Sequence, residues 1–237
     1  MPPSCGKLLR QRLFSVLVVA HLSHQYGASS AISFGSFSLG AGHALLLRGG
    51  SGAGKSTLLH LLCGVLPIQP QSGDAALAGQ SLYSLTRAQQ DGLRPYTVGW
   101  MPQRQFLMAS LSVLENVLLP ASLAGRADEP TVQRATALLK ALGIAELAPA
   151  RPHTLSVGQA ARASLARALV TQPKLLLADE PTAALDAVSS RLVVEQIARY
   201  VQGGGAALIA SHDPAMNALW QAASDGHAAL TERVLPG

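Results

Sequence analysis

Between residues 49 and 57 the chain reads GGSGAGKST, placing Gly49, Gly54, Lys55 and Ser56 in the spacing G-x-x-x-x-G-K-[ST]. That spacing suits phosphate binding. The glycines Gly49, Gly50, Gly52 and Gly54, with the small Ser51 and Ala53 between them, let a backbone wrap closely around phosphate oxygens. Amide N–H groups and the start of a following helix supply positive potential, and Lys55 can reach the β- and γ-phosphates. The Ser56 hydroxyl, with Thr57 beside it, offers Mg²⁺ the hard oxygen it prefers. A second set lies at Leu175-Leu176-Leu177-Ala178-Asp179-Glu180. An apolar strand ending in two carboxylates is costly unless they meet a cation or a reacting group. Strand alternation points the two side chains different ways, Asp179 towards Mg²⁺ and Glu180 towards a water attacking the γ-phosphate. Alone, the pair would read as a helix-capping aspartate and a solvated glutamate. Beside a phosphate loop the chemical reading is favoured.

Elements must hold these groups. The runs LFSVLVVA, AISFGSFSLG and HALLLRG between residues 13 and 47 read as strands, and the phosphate loop opens a helix through LLHLLCGVL that ends near Gly64 and Pro67. Residues 73–101 read as a return to short strands ending in TVGWM. The middle reads as helical. Ser112 and Glu115 form a capping box before NVLLP, which Pro120 is expected to close. Asp128 can cap TVQRATALLKAL, whose Val132, Ala135, Leu138, Leu139 and Leu142 share one face up to Gly143. Ser156 and Gln159 form another capping box ahead of an Ala-rich helix running to about Val170. KLLLADE is apolar throughout, as expected of a strand covered on both faces. Asp186 can cap a helix through Tyr200, Gly203 to Gly205 stop it, and AALIA is a further buried strand. Strands alternating with helices predict an α/β fold with a parallel sheet.

Composition narrows the function classes. Of 237 residues, 49% are hydrophobic and 13% charged, which excludes a disordered or acidic solvating chain. The net charge is +5, yet the 18 basic residues are scattered from Lys7 to Arg233, so no nucleic-acid-binding stripe forms. No apolar run is long enough to span a bilayer, and the positive mean hydropathy then fits a subunit that buries surface against partners. Cys5 and Cys63 have no metal-ligand spacing, as expected of a reduced, cytoplasmic chain. Lys7, Arg10 and Arg12 before Leu13–Ala20, with small residues near Ala28 to Ala31, imitate a secretory signal. A buried strand behind a basic terminus is the preferred reading, because nucleotide chemistry belongs where ATP is.

With the phosphate loop followed in order by Gln103 in VGWMPQ, by LSVGQ, LLLADEPTAALD and LIASHD, the chain resembles the ATP-binding cassette (ABC) ATPases over nearly its full length. That resemblance implies a P-loop NTPase of α/β class. Its core sheet would be mostly parallel, with an antiparallel β subdomain and an inserted α-helical subdomain. It also implies one nucleotide-binding domain over 1–237, with the core at about 1–102 and 171–237 and the helical subdomain at about 103–170.

The resemblance also assigns roles. Lys55, Glu180 and His212 would be catalytic, with His212 on the γ-phosphate. Ser56, Gln103 and Asp179 would serve Mg²⁺, and Gln103 would couple the core to the helical part. Tyr26 would stack on adenine, although a plain strand aromatic is nearly as good an account. Ser156, Gly158 and Gln159 would meet the ATP of a second cassette, and Asp186, in Ala184-Leu185-Asp186, would contact that partner while also capping its helix. The family usually has LSGGQ, and Val157 stands here in place of the first of its two glycines. A β-branched residue fits the first helical position at little cost, so hydrolysis is expected to be slowed or altered at most.

The functional expectation is an ATP- and Mg²⁺-dependent ATPase subunit of an ABC transporter, peripheral on the cytoplasmic face of the inner or plasma membrane. It would form a dimer, expected to be a homodimer, around two ATP and dock on integral membrane permease subunits, with no nucleic-acid partner. Arg104, Phe106 and Met108 are candidates to line the docking groove, with local core as the competing account. SVLENVLLP, LADEPT and SHDPAM resemble most the exporter branch that includes lipoprotein-releasing and macrolide-type systems. The alternatives are a soluble ABC ATPase acting on ribosomes or DNA and an ATP-binding regulator with little turnover. A GTPase would want N-K-x-D, which is absent.

Overall fold

The computed structural model describes residues 15–27, 30–69, 71–224 and 228–235, and of Arg87 the backbone alone. Cys5, Lys7, Arg10, Arg12 and part of the signal-like segment therefore lie outside the described residues.

Two sheets form. The first is antiparallel in the order β2-β1-β4-β5, from β1 (Ser15–His24), β2 (Ile32–Gly40), β4 (Asp74–Leu77) and β5 (Gln80–Ser81). The second runs β6-β7-β8-β3-β9, from β3 (His43–Arg48), β6 (Val98–Met101), β7 (Leu175–Asp179), β8 (Ala206–Ala210) and β9 (Ala229–Val234). All its pairings are parallel. The expected α/β fold with a parallel core sheet and a separate antiparallel sheet is what forms.

Strands β3, β7 and β8 of the second sheet are apolar on both faces because both are covered, whereas the edge strand β9 is largely exposed. Leu45, Leu47, Leu175, Leu177 and Leu208 face a layer made by the antiparallel sheet and helix α1 (Lys55–Cys63). Leu46, Leu176, Ala178, Ala207 and Ile209 face the remaining helical layer. To that layer belong α3 (Val113–Leu123), α4 (Glu129–Ala141), α5 (Val157–Leu169), α6 (Ala187–Gln202) and α7 (Met216–Ser224). The expected caps are in place. Ser112 accepts from Glu115 N–H, Asp128 from Thr131 N–H, Ser156 from Gln159 N–H and Asp186 from Ser189 N–H. On α4 and its C-cap, Ala135, Leu139 and Leu142 are fully covered while Val132 and Leu138 are half-buried.

Two expectations need correction. Residues 73–101 are not all strand, because α2 (Arg87–Thr97) fills much of the interval. Thr97 of TVGWM ends that helix and β6 starts at Val98. Gly92 and Pro95 hide the helix in sequence, yet Thr86 and Gln89 form a capping box that starts it. Nor does Pro120 close its segment. It lies inside α3, where it forfeits one backbone bond to Asn116, and the helix continues to Leu123.

Candidate active site

The carboxyl ends of four parallel strands place the chemistry. β3 runs into the phosphate loop, β6 leads to Gln103, β7 ends at Asp179 and β8 leads to His212. In an open α/β sheet that edge is where ligands bind. A cleft of about 760 Å³ opens there, lined by Tyr26, Ile32, every residue from Gly49 to Thr57, Gln103, Glu180 and His212.

Within the loop, Lys55 Nζ donates to the Gly49 carbonyl at 2.8 Å and to the Gly50 carbonyl at 3.1 Å, so its charge sits over the loop. Gly54 has φ 86, and a Cβ there would lie 2.6 Å from Ile32 Cγ2, so this position needs glycine for both reasons. No side chain caps α1, and its first backward bond runs from Leu58 N–H to the Gly54 carbonyl. The first-turn amides and the positive end of the helix dipole therefore face an incoming anion.

Asp179 is buried at the end of β7. Its Oδ1 has no hydrogen-bond partner. Burial pushes its pKa up, and the Ser56 hydroxyl beside it pulls the other way. A buried carboxylate with an orphaned oxygen next to a serine hydroxyl suits a hard divalent cation.

Glu180 departs from the expected geometry. It is not the next strand residue but sits just past β7 with φ 49. Its different direction from Asp179 thus comes from a backbone turn and not from strand alternation. Its N–H bonds to the Ala210 carbonyl at 2.8 Å, which sets the turn. The Glu180 carboxylate accepts from His212 N–H at 3.2 Å on both oxygens, and His212 Nδ1 lies 2.7 Å from Oε1. A carboxylate can only accept, so this contact requires the tautomer with hydrogen on Nδ1. Sequence reasoning missed the lock behind this pair. Thr182 Oγ1 donates to Asp213 Oδ2 at 2.9 Å, and Arg48 Nη1 donates to the Asp213 carbonyl at 2.6 Å. The only signal available was that Thr182 and Asp213 stand in DEPT and SHD.

The other expected site residues divide between the cleft and the rest of the surface. Tyr26 does reach the cleft, with its hydroxyl 3.2 Å from Thr57 Oγ1, while Gln103 is exposed at the cleft wall. Ser156, Gly158, Gln159 and Asp186 do not line this cleft. Gly158 packs against the chain's own α6, and a Cβ there would lie 2.5 Å from Ser189 Oγ. Asp186 spends both carboxylate oxygens on Ser189, at 2.8 Å each, so the cap is its role within one chain.

Residues 34–183 match the protein-family model described as ABC transporter. The chain belongs to the ABC transporter family. It is 42% identical over 175 residues to the lipoprotein-releasing system ATP-binding protein LolD of Paramagnetospirillum magneticum, covering 73% of this ABC chain and 76% of that protein. The LolD of Shewanella oneidensis is 40% identical over 178 residues, covering 75% and 76% respectively. Among solved structures, the post-hydrolysis dimer of the ATP-binding cassette MJ0796 bound to ADP and Pi superposes with a TM-score of 0.75 at 26% identity. The match covers 86% of this chain and 90% of that one. The ABC chain is therefore an ATP-binding, ATP-hydrolysing subunit.

Proposed function

We propose that the chain is the ATPase subunit of an exporter of the lipoprotein-releasing type, working as a dimer on the cytoplasmic face of a membrane. The carrying observation is that the phosphate loop, Gln103, Glu180 and His212 converge on one cleft at the carboxyl edge of the parallel sheet. The LolD relatives supply the exporter type. Among the described residues no helix is long and apolar enough to cross a membrane, which suits docking on separate membrane subunits.

ATP would lie with its β- and γ-phosphates against the loop amides and Lys55, whose ammonium exchanges loop carbonyls for phosphate oxygens. Ser56 and Asp179, with Gln103, form a donor set that fits Mg²⁺. When bound, the ion would neutralise phosphate charge. Glu180 would accept the proton of the attacking water, and His212 would hold that carboxylate in place while its Nε2 faces the γ-phosphate. Removing a general base costs about 10²- to 10⁴-fold in rate.

Ser156, Gly158 and Gln159 lie outside their own cleft, which suits action on the ATP of a second copy. The amino-terminal end of α5, whose first N–H groups have no partner within the helix, would then face the phosphates of that ATP. The MJ0796 cassette is dimeric, which supports a dimer here. One domain then spans 1–237, with the helical part at about 103–170 carrying the surface for membrane subunits.

The test combines two measurements on Glu180→Gln. Steady-state phosphate release should fall by about 10²- to 10⁴-fold while ATP binding persists. A pull-down of the same variant from gently solubilised membranes with Mg-ATP should recover one multi-span protein in near-stoichiometric amount. Ribosomal or DNA-repair proteins in its place would overturn the exporter reading, and retained turnover would move the base to another residue.

A further inference from the structure

The segment carrying Tyr26 is fixed from three sides. Its backbone neighbour Gln25 is clamped by Gln69, whose side-chain Oε1 accepts from Gln25 N–H at 3.3 Å and whose Nε2 donates to the Gln25 carbonyl at 3.2 Å. The Tyr26 hydroxyl meets Thr57 at the start of α1. The third contact comes from His24, the last residue of β1, whose ring stands edge-on to the Tyr26 ring. The centroids are 4.6 Å apart and the planes 78° apart. His24 is 5% exposed, and its Nδ1 has no hydrogen-bond partner. Hydrogen bonding through Nδ1 is therefore not what holds this buried ring, and the edge-to-face contact with Tyr26 is an interaction it does make.

We propose that His24 is a positioning residue for the base of ATP: its buried ring fixes the plane of Tyr26 before nucleotide arrives. This rests on the reading of Tyr26 as the residue that stacks on adenine. The physical argument is preorganisation. Tyr26 is 47% exposed at the cleft edge, and without a wall behind it the ring would have to be ordered by the nucleotide, at the expense of affinity. His24 acts on orientation, through its ring contact with Tyr26. Its effect should appear in binding of the base and not of the triphosphate.

Equilibrium binding of two probes, MgATP and magnesium tripolyphosphate, separates these contributions. His24→Ala should weaken MgATP binding by about tenfold, within the span of a single base–aromatic stack. It should leave tripolyphosphate unchanged. His24→Phe, which keeps a flat edge and drops both ring nitrogens, should restore MgATP binding to within about threefold and melt no lower than the wild type. If His24→Ala does not fold, His24→Leu carries the same expectation. Unchanged MgATP affinity in the folded variant would overturn the proposal, as would an equal loss for tripolyphosphate, which would mark His24 as purely structural. Tyr26→Ala distinguishes the two levels of the argument. If it loses MgATP affinity while His24→Ala does not, only the His24 inference falls. If Tyr26→Ala binds MgATP as the wild type does, the base-stacking reading falls and His24 with it.

Discussion

Val157 stands where the ABC resemblance expects the first glycine of the signature, and its surroundings have room for the side chain. It occupies the first helical position of α5 with its side chain exposed. On one side Ser156 and Gln159 keep both bonds of the capping box, and on the other Gly158 keeps its close approach to Ser189. Neither needs anything from the Val157 side chain, and an amide at the first helical position is free whatever side chain it carries. Val157→Gly should therefore change steady-state ATP turnover by no more than about threefold, because a first-turn β-branched residue costs little. A much larger gain would show instead that the native side chain throttles the site. The phosphate loop is fully legible at this scale because its residues are contiguous. Glu180 is only half legible: its type and place in the chain are plain, but its direction depends on a turn set by the Ala210 carbonyl, a strand away. Nothing local announces the Thr182–Asp213 bond, which joins two loops distant in sequence.

Among elements, those with strong local signals are the ones the sequence declares. Asp128, Ser112, Ser156 and Asp186 each stand where a helix begins, because a side-chain oxygen there satisfies an amide that the helix cannot. The Asp128 carboxyl is held below its ordinary pKa by the Thr131 hydroxyl and then by the Thr131 N–H. A carboxyl with a lowered folded-state pKa adds stability above its unfolded value and loses it as pH falls through the folded value. Asp128→Ala should lower the urea midpoint by a constant amount from pH 7 down to about pH 4, and the difference should shrink below that. A difference that persists at pH 2 would show that α4 is anchored by something other than this charge. The hidden element is α2, where Gly92 and Pro95 mask a helix whose only clear mark is its capping box. Pro120 misleads in the opposite sense, since packing of Val113, Val117 and Ala121 outweighs the one bond it removes.

For the molecule as a whole, the surface beside Gln103 is where a membrane partner would seat. Phe106 is 70% exposed and Met108 51%, so local core does not account for them. The loop behind them is nonetheless fixed. Asn116, fully buried, exchanges bonds with both the N–H and the carbonyl of Met108, and Arg167 donates to the Phe106 carbonyl at 2.6 Å. A fixed backbone presenting two large apolar side chains to solvent suits the docking surface proposed above. Phe106→Asp should leave the ATPase rate of the purified chain unchanged while abolishing co-purification of the multi-span partner. Retention of the partner would place the contact elsewhere.

The strand order has a further consequence, in the timing of synthesis. β3, which carries the phosphate loop, pairs with β8 and β9 and with nothing between them in the chain. At about 5–20 residues per second, roughly 10–30 s pass between completion of β3 and emergence of β8 from the ribosome. Through that interval β1, β2, β4 and α1, which pack over Leu45 and Leu47 in the finished fold, are already made while β8 and β9 are not, so the amino-terminal third can shelter that face of β3 while the ribosome finishes the rest.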